Sequence, residues 1–363
     1  MYIYIVTFLL TLTLSVVSVP FVIKLAKRIG VVDIPNKRKV HAKAVPRLGG
    51  LAIYFAFLAG FVFISLMYDQ LPLSIIIGAT IIVFTGFIDD KFQIKPWQKL
   101  LGQVIAAVIV LADGLSIQYL TIPFLEQSLP VSAWIALPIS FFWIIGVTNA
   151  VNLIDGLDGL ASGVSIIAAC SILTMALILG DVQVALLSIA LIGSTIGFLF
   201  FNFHPAKIFM GDTGSLLLGF LLSVFSIIGF KQVTFVTFII PIVILAVPLA
   251  DTTIAIIRRK LNNKRIMDAD KNHLHHRLLA SGFSHRQAVL FIYFISSLFG
   301  VAAILLYNSN LFASTIIFIM LLLVIELLIE TLELISKNYK PLINFYIKMS
   351  GTKKATTENN KNA

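Results

Sequence analysis

Apolar residues in this chain come in long runs free of charge, each closed by a short polar cluster. The runs are Met1 to Ile23, Leu48 to Tyr68, Gln70 to Ile88, Gln127 to Ile154, Gly159 to Gly180, Val182 to Ala206, Thr213 to Phe230, Gln232 to Ala250 and Gln287 to Ile325. Several approach the ~20 residues a spanning helix needs, and the longest holds two, divided at Tyr307-Asn308-Ser309-Asn310. With the weaker segment Leu100 to Tyr119, the pattern predicts about eleven transmembrane helices. Continuous apolar runs exclude a β-barrel, whose strands alternate lipid-facing and lumen-facing residues. The expected fold class is therefore an all-α polytopic membrane protein. One transmembrane domain covers residues 1–349, and a short polar tail, 350–363, is expected to be disordered.

The first run lacks a basic leader and is followed by Lys24, Lys27 and Arg28, so it reads as a retained helix with the N-terminus outside. If the helices then alternate, 26 of the 27 Lys and Arg residues fall on one side and Lys231 alone falls opposite. The positive-inside rule makes that side cytoplasmic, with the C-terminus there too.

Composition strengthens this picture. Among 363 residues, 59% are hydrophobic and the mean hydropathy is +1.00, more than a water-soluble core can hide, so the lipid bilayer is the expected solvent. The net charge of +10 is a topology signal and not the footprint of a nucleic-acid partner. Cys170 is the single cysteine and lies in an apolar run, which excludes a disulfide framework and a cysteine-based metal site.

Chemistry-bearing residues gather in the inner loops. Asp89 and Asp90 end the third run, where negative charge opposes the helix dipole, so helix stabilisation explains them poorly; a solvated helix end is the plain alternative. Lys99 and Gln103 share a face at the start of the next helix, Lys99 as a phosphate contact or a snorkelling lysine. Asn149, Asn152, Asp155 and Asp158 recur every third residue with glycines between, a spacing that suits a hard cation or the phosphates it bridges, although Asp-Gly pairs also mark turns. Asn202 and His204 precede Gly211-Asp212-Thr213-Gly214-Ser215, where Asp212 is either a helix cap or a metal ligand beside backbone amides that receive phosphate. The last large inner loop carries His273, His275, His276 and Arg277. With no cysteine or fourth clustered ligand, a nucleotide-diphosphate contact is favoured over zinc.

Asp89-Asp90, Asn152-Leu-Ile-Asp155-Gly-Leu-Asp158-Gly-Leu, Phe209-Met-Gly-Asp212-Thr-Gly-Ser and His273-Leu-His275-His276 stand in the order found in the polyprenyl-phosphate N-acetylhexosamine-1-phosphate transferases. Pro35-Asn36-Lys37-Arg38-Lys39-Val40-His41 and Pro46-Arg47-Leu48-Gly49-Gly50 also look like this family's first inner loop. Within the family the chain resembles the WecA/TagO type, which uses UDP-N-acetylglucosamine. The MraY type, acting on UDP-MurNAc-pentapeptide, typically has three consecutive histidines, a run that Leu274 interrupts here.

The resemblance implies a glycosyl-1-phosphate transferase of the cell membrane, with its active site on the cytoplasmic face. It implies UDP-N-acetylglucosamine as donor, undecaprenyl phosphate as acceptor, Mg²⁺ as cofactor with Mn²⁺ as a substitute, and release of UMP. It implies that Asp212, with Asp155, binds metal; that Asp155 and Asp158 line the site with Asn152; that Asn202 and the histidine loop contact the nucleotide sugar, with Lys99 a further substrate contact; and that Asp89 and Asp90 hold or deprotonate the lipid phosphate. A phosphate monoester has a second pKa of ~6 and is already largely dianionic, so a general base is not required of them. Wall teichoic acid is one glycopolymer that such a product would feed. The oligomeric state, a homodimer included, stays open at this point. A cation-coupled transporter built around Asp251 is the rival class; transporters place polar groups at the midplane within repeats, and here they lie at one face.

Overall fold

Helices begin and end where polar residues interrupt the apolar runs. The structure, a computed structural model, describes residues 2–33, 44–68, 71–117, 119–121, 128–229, 239–264, 272–336 and 338–350. The loop motif from Pro35 to His41 and the tail beyond Ser350 lie outside the described residues.

In chain order the helices are α1 (Tyr2–Arg28), α2 (Gly49–Ser65), α3 (Leu73–Phe92), α4 (Pro96–Ala112), α5 (Ala133–Ile154), α6 (Leu160–Leu179), α7 (Val182–Asn202) and α8 (Gly211–Gly229). They continue with α9 (Ile239–Ile244), α10 (Ala246–Leu261), α11 (Leu274–Ala280), α12 (His285–Asn308), α13 (Leu311–Thr331) and α14 (Pro341–Met349). Among the described residues, eight of these (α1, α3, α5 to α8, α12 and α13) are long and apolar enough to cross a membrane, and α2 and α4 are shorter apolar helices. The predicted run from Gln232 to Ala250 is described only from Ile239, as the short α9 followed by the start of α10. Two antiparallel ladders, β1 (Val32–Asp33) with β2 (Val45–Pro46) and β3 (Tyr119–Thr121) with β4 (Ser128–Pro130), are the only strands among the described residues.

α8 is the hub. Its apolar window is 94% buried and packs against α2, α3, α5 and α6, whereas α13 is 11% buried and lies at the rim. Lipid is as apolar as leucine, so helices in a bilayer associate through close packing and interhelical hydrogen bonds. Both are present: the Phe57 and Phe225 rings stand 6.1 Å apart, and Trp143 Nε1 donates to Ser226 Oγ at 2.9 Å.

Close backbone approach occurs at the head of α8. A Cβ at Gly86 of α3 would lie 2.5 Å from the Cα of Thr213, and one at Gly50 of α2 would collide with the backbone of Thr213 and Gly214. Only glycine lets these segments touch. The chain before α2 is also hydrogen-bonded to the chain before α8: Phe209 N donates to Pro46 O at 2.8 Å, Gly49 N to Phe209 O at 2.9 Å and Gly50 N to Met210 O at 2.9 Å. This pairing sets Arg47 over the first turn of α8.

Candidate active site

The first turn of α8 leaves backbone N–H groups that need acceptors. A carboxylate from another helix supplies them. Asp90 Oδ1 accepts from Asp212 N at 2.9 Å, and its Oδ2 accepts from Thr213 N at 2.9 Å and from Thr213 Oγ1 at 2.6 Å. Arg47 Nε lies 3.0 Å from Asp90 Oδ1, and the Asp90 side chain is wholly buried. Asp90 thus caps α8 from the end of α3 and turns no oxygen to solvent.

Asp212 takes its own place within that turn. Arg47 Nη2 donates to Asp212 Oδ1 at 2.8 Å, while Lys99 Nζ pairs with Asp212 Oδ2 and lies 3.3 Å from Asp89 Oδ2. The sequence therefore brings Asp89, Asp90, Lys99 and Asp212 together, and the structure adds Arg47, to which no role was attached. The sign was there in the Pro-Arg-Leu-Gly-Gly loop, but its partners are remote in the chain. The structure also divides the aspartate pair: Asp90 holds the scaffold, and Asp89 faces Lys99.

α5 ends at Ile154, so Asn149 and Asn152 project from a helix while Asp155 and Asp158 lie in the loop that follows. Asn149 Nδ2 donates to Gln103 Oε1 at 2.6 Å, and Asn152 Nδ2 donates to Ser215 Oγ at 2.7 Å, which ties α5 to α4 and α8. Asp155 lines a cleft of about 360 Å³ together with Arg47, Asp158, Gly211 and His276. Burial, reinforced by the charge of Asp212, pushes its carboxyl up to about 7; Arg47 pulls the other way and Asp90 and Asp158 add to the rise. The Arg47 guanidinium is held above its ordinary value because Asp90 and Asp212 outweigh the effect of burial.

Four carboxylates, Asp89, Asp90, Asp155 and Asp212, thus face two fixed cations, Arg47 and Lys99. An all-oxygen donor set with surplus negative charge fits a hard divalent cation. Asp212 and Asp155 offer that set, with Asp89 beside Lys99, whereas Asp90 is committed to α8.

The histidine loop forms a second wall. Asp251 of α10 accepts from Leu274 N at 2.8 Å, which caps α11, and pairs with His273 Nδ1 at 2.8 Å. The residue that motivated a transporter is therefore taken up in holding this loop. His275 presses its ring on Gly156, where any Cβ would strike it. Burial first, then the neighbouring His276, lowers its pKa to about 3, so it is neutral at ordinary pH. His276 reaches the cleft. Arg277 does not: its Nε donates to Leu332 O at 2.7 Å and its Nη2 to Glu333 O at 3.0 Å, at the end of α13. These last carbonyls of a helix attract a cation, so Arg277 is anchored away from the cleft.

Asn202 lines the cleft, yet its amide is engaged within the protein. Oδ1 accepts from Gly159 N at 3.1 Å and Ser162 Oγ at 2.7 Å, and Nδ2 donates to Ile208 O at 3.0 Å. It braces the turn into α6, where Gly159 adopts φ +79. His204 and His285 also line the cleft beside Asp158. No sequence motif singled out His285, because it opens an apolar helix far from the histidine cluster.

Residues 72–230 match the model of glycosyl transferase family 4. The chain is 44% identical over 343 residues, 94% of its length and 96% of the relative's, to a Bacillus subtilis (strain 168) protein named a probable undecaprenyl-phosphate N-acetylglucosaminyl 1-phosphate transferase. This chain belongs to that transferase family. A decaprenyl-phosphate N-acetylglucosaminephosphotransferase of Mycobacterium leprae is a further member, 35% identical over 79% of this chain and 80% of its own. So is a phospho-N-acetylmuramoyl-pentapeptide-transferase of Halalkalibacterium halodurans, 32% identical over 83% of this chain and 95% of its own. Family membership and the apolar helices make the protein a membrane-embedded sugar-phosphate transferase.

Proposed function

We propose that the protein transfers N-acetylglucosamine 1-phosphate from UDP-N-acetylglucosamine to undecaprenyl phosphate, giving undecaprenyl-pyrophosphoryl-N-acetylglucosamine and UMP. The observation that carries this reading is the meeting of Asp89, Asp155 and Asp212 with Lys99 and Arg47 beside a cleft at one end of the helix bundle. The names of the Bacillus and Mycobacterium relatives support the sugar and the lipid class. The distribution of Lys and Arg supports a cytoplasmic site in the cell membrane.

The reaction joins two anions. A non-bridging oxygen of the lipid phosphate attacks the β-phosphorus of the donor, the bond from that phosphorus to the oxygen bridging it to UMP breaks, and UMP leaves with the bridging oxygen. Lys99 and Arg47 are the cations available to meet the phosphates, and each is at present held by Asp212. Asp212 and Asp155 would hold Mg²⁺, or Mn²⁺ in its stead, which when bound neutralises charge on the donor and on departing UMP. Asp89, beside Lys99, orients the attacking phosphate and need not take a proton, since that group is largely dianionic above its second pKa of ~6. Asp90 acts through the scaffold, keeping the first turn of α8 in place. Direct attack is preferred to an aspartyl-phosphate route because the aspartates here are ion-paired or hydrogen-bonded instead of activated by a base.

The product is suited to the first membrane step of a cell-envelope glycopolymer such as wall teichoic acid. The deciding assay offers purified protein, undecaprenyl phosphate and Mg²⁺ either UDP-N-acetylglucosamine or UDP-MurNAc-pentapeptide in parallel. UMP release from the first alone is expected. Release from the second alone transfers the assignment to the muramoyl-pentapeptide branch represented by the Halalkalibacterium relative, and no release from either sinks the proposal.

A further inference from the structure

Far from the cleft, α14 starts on a buried charge. Glu330, in the last turn of α13, is wholly buried, and both of its carboxylate oxygens accept from backbone: Oε1 from Leu342 N, and Oε2 from Ile343 N at 2.8 Å. A buried carboxylate is costly unless it is hydrogen-bonded, and the first amides of a helix need acceptors. The two needs are met together only when α14 is formed and its start rests on α13. Beside this junction Glu333 lies 3.3 Å from Lys340 Nζ and 3.1 Å from Arg277 Nη2, and Arg258 of α10 donates to Leu334 O. α14 therefore leaves the bundle at the end that carries the histidine wall.

The helix carries more apolar surface than the protein covers. Leu342, Ile343 and Ile347 are half-buried, whereas Phe345, Tyr346 and Met349 share one face at helical spacing and are 62%, 71% and 73% exposed. Asn344 and Lys348, four apart, form the polar stripe. Nine residues reach about 14 Å, too short to cross a bilayer. Positive charge surrounds this face: between positions 337 and 357 the sequence has five lysines and no acidic residue. α13, on which the helix starts, is 11% buried and so runs through lipid, which brings Phe345 and Tyr346 to the bilayer boundary. Aromatic side chains beside lysines are suited to that boundary.

We propose that α14 is a foot that docks on the bilayer surface through Phe345, Tyr346 and Met349, with anionic lipid headgroups as the partner of Lys348 and the neighbouring lysines. The distribution of Lys and Arg makes this the cytoplasmic leaflet, whose anionic lipids attract such clusters. The inference rests on that topology and not on the transferase chemistry. A second copy of the chain fits the face less well, because it would bring the same lysines together. Docking would hold the end of α13 at a fixed depth, and with it Glu333 and its partner Arg277.

The test uses the full chain in lipid nanodiscs, with Cys170→Ser so that one introduced cysteine carries the nitroxide spin label. Labels at Phe345→Cys, Tyr346→Cys and Met349→Cys should be relaxed by oxygen and shielded from a water-soluble nickel chelate, and a label at Asn344→Cys should show the reverse. Replacing phosphatidylglycerol with phosphatidylcholine in the discs should open the three apolar-face labels to nickel, and Lys348→Gln should lower the ratio of docked to free helix about fivefold. Equal nickel access at all four positions, or access indifferent to phosphatidylglycerol, overturns the proposal. Dipolar broadening that vanishes when labelled chain is diluted with unlabelled chain before reconstitution overturns it in favour of a second copy. If one labelled variant does not fold, the other positions on the face carry the same comparison.

Discussion

The two walls of the cleft are built on opposite physical plans. At the head of α8, charged groups are locked: Asp90 is consumed by backbone amides, Asp212 is gripped by Arg47 and Lys99, and glycines press the helices into backbone contact. Across the cleft the histidine wall is neutral where it is buried, as at His275, and it hangs on loops that Asp251 and Arg277 fasten to α10 and α13. The first plan fixes charge before substrate arrives, which is what stabilising a transferring phosphoryl group requires. The second gives a shaped wall whose buried imidazole at His275 carries no charge. The same cleft thus separates a rigid electrostatic half from a half positioned by loops.

The sharpest way to break this contrast is at Asp212. Asp212→Asn should lower UMP release by about 10²–10³-fold, the size expected when a preorganised electrostatic group is lost, while the purified protein stays folded by melting. A comparable loss of folded protein would show that the residue is scaffold, like Asp90. The aspartate pair gives the next test. Asp90→Asn should cost about 1–3 kcal/mol of stability through its amide contacts, measured as a lower melting midpoint. Asp89→Asn should leave the midpoint in place and reduce turnover, so equal behaviour of the two variants would erase the division drawn here.

The histidine wall makes a pH prediction. His275 has a folded pKa of about 3 against an unfolded value of ~6.5. Between those values the unfolded chain binds more protons, so stability falls as pH drops from 6.5 toward 3. His276, Asp251, His273 and His285 are the groups that also act on it. Melting between pH 7 and pH 5 should show a decline that His275→Gln reduces. The smallest effect belongs to Arg277→Ala, which should lower stability by about 1 kcal/mol and change the apparent donor affinity by less than twofold. A large rise in donor KM would return Arg277 to the cleft.

Much of this was legible because membrane proteins write their topology in composition. Charge-free runs marked the helices, and the lopsided Lys and Arg count placed Asp89, Asp155, Asp212 and the histidines at one end together. What was not legible followed from contacts across the chain. Asp90 and Asp212 lie 122 positions apart, and nothing local says that one caps the turn holding the other. Arg47, 165 positions from Asp212, sat in a recognisable loop without a visible partner. Arg277 looked like a phosphate donor because nearby residues are basic, and only the position of α13 shows where its hydrogen bonds go. Of the long run after Gln232, only the part from Ile239 lies among the described residues, as α9 and the start of α10.

The contact between α2, α3 and α8 has a genetic side. Every amino acid reachable from a glycine codon by one base change carries a Cβ, and at Gly50 and Gly86 that single carbon has no room. Random mutagenesis under selection for a working enzyme should therefore return these two codons with synonymous changes only. Loss-of-function alleles should recur there as densely as at Asp212, although neither glycine carries a group that could touch a substrate.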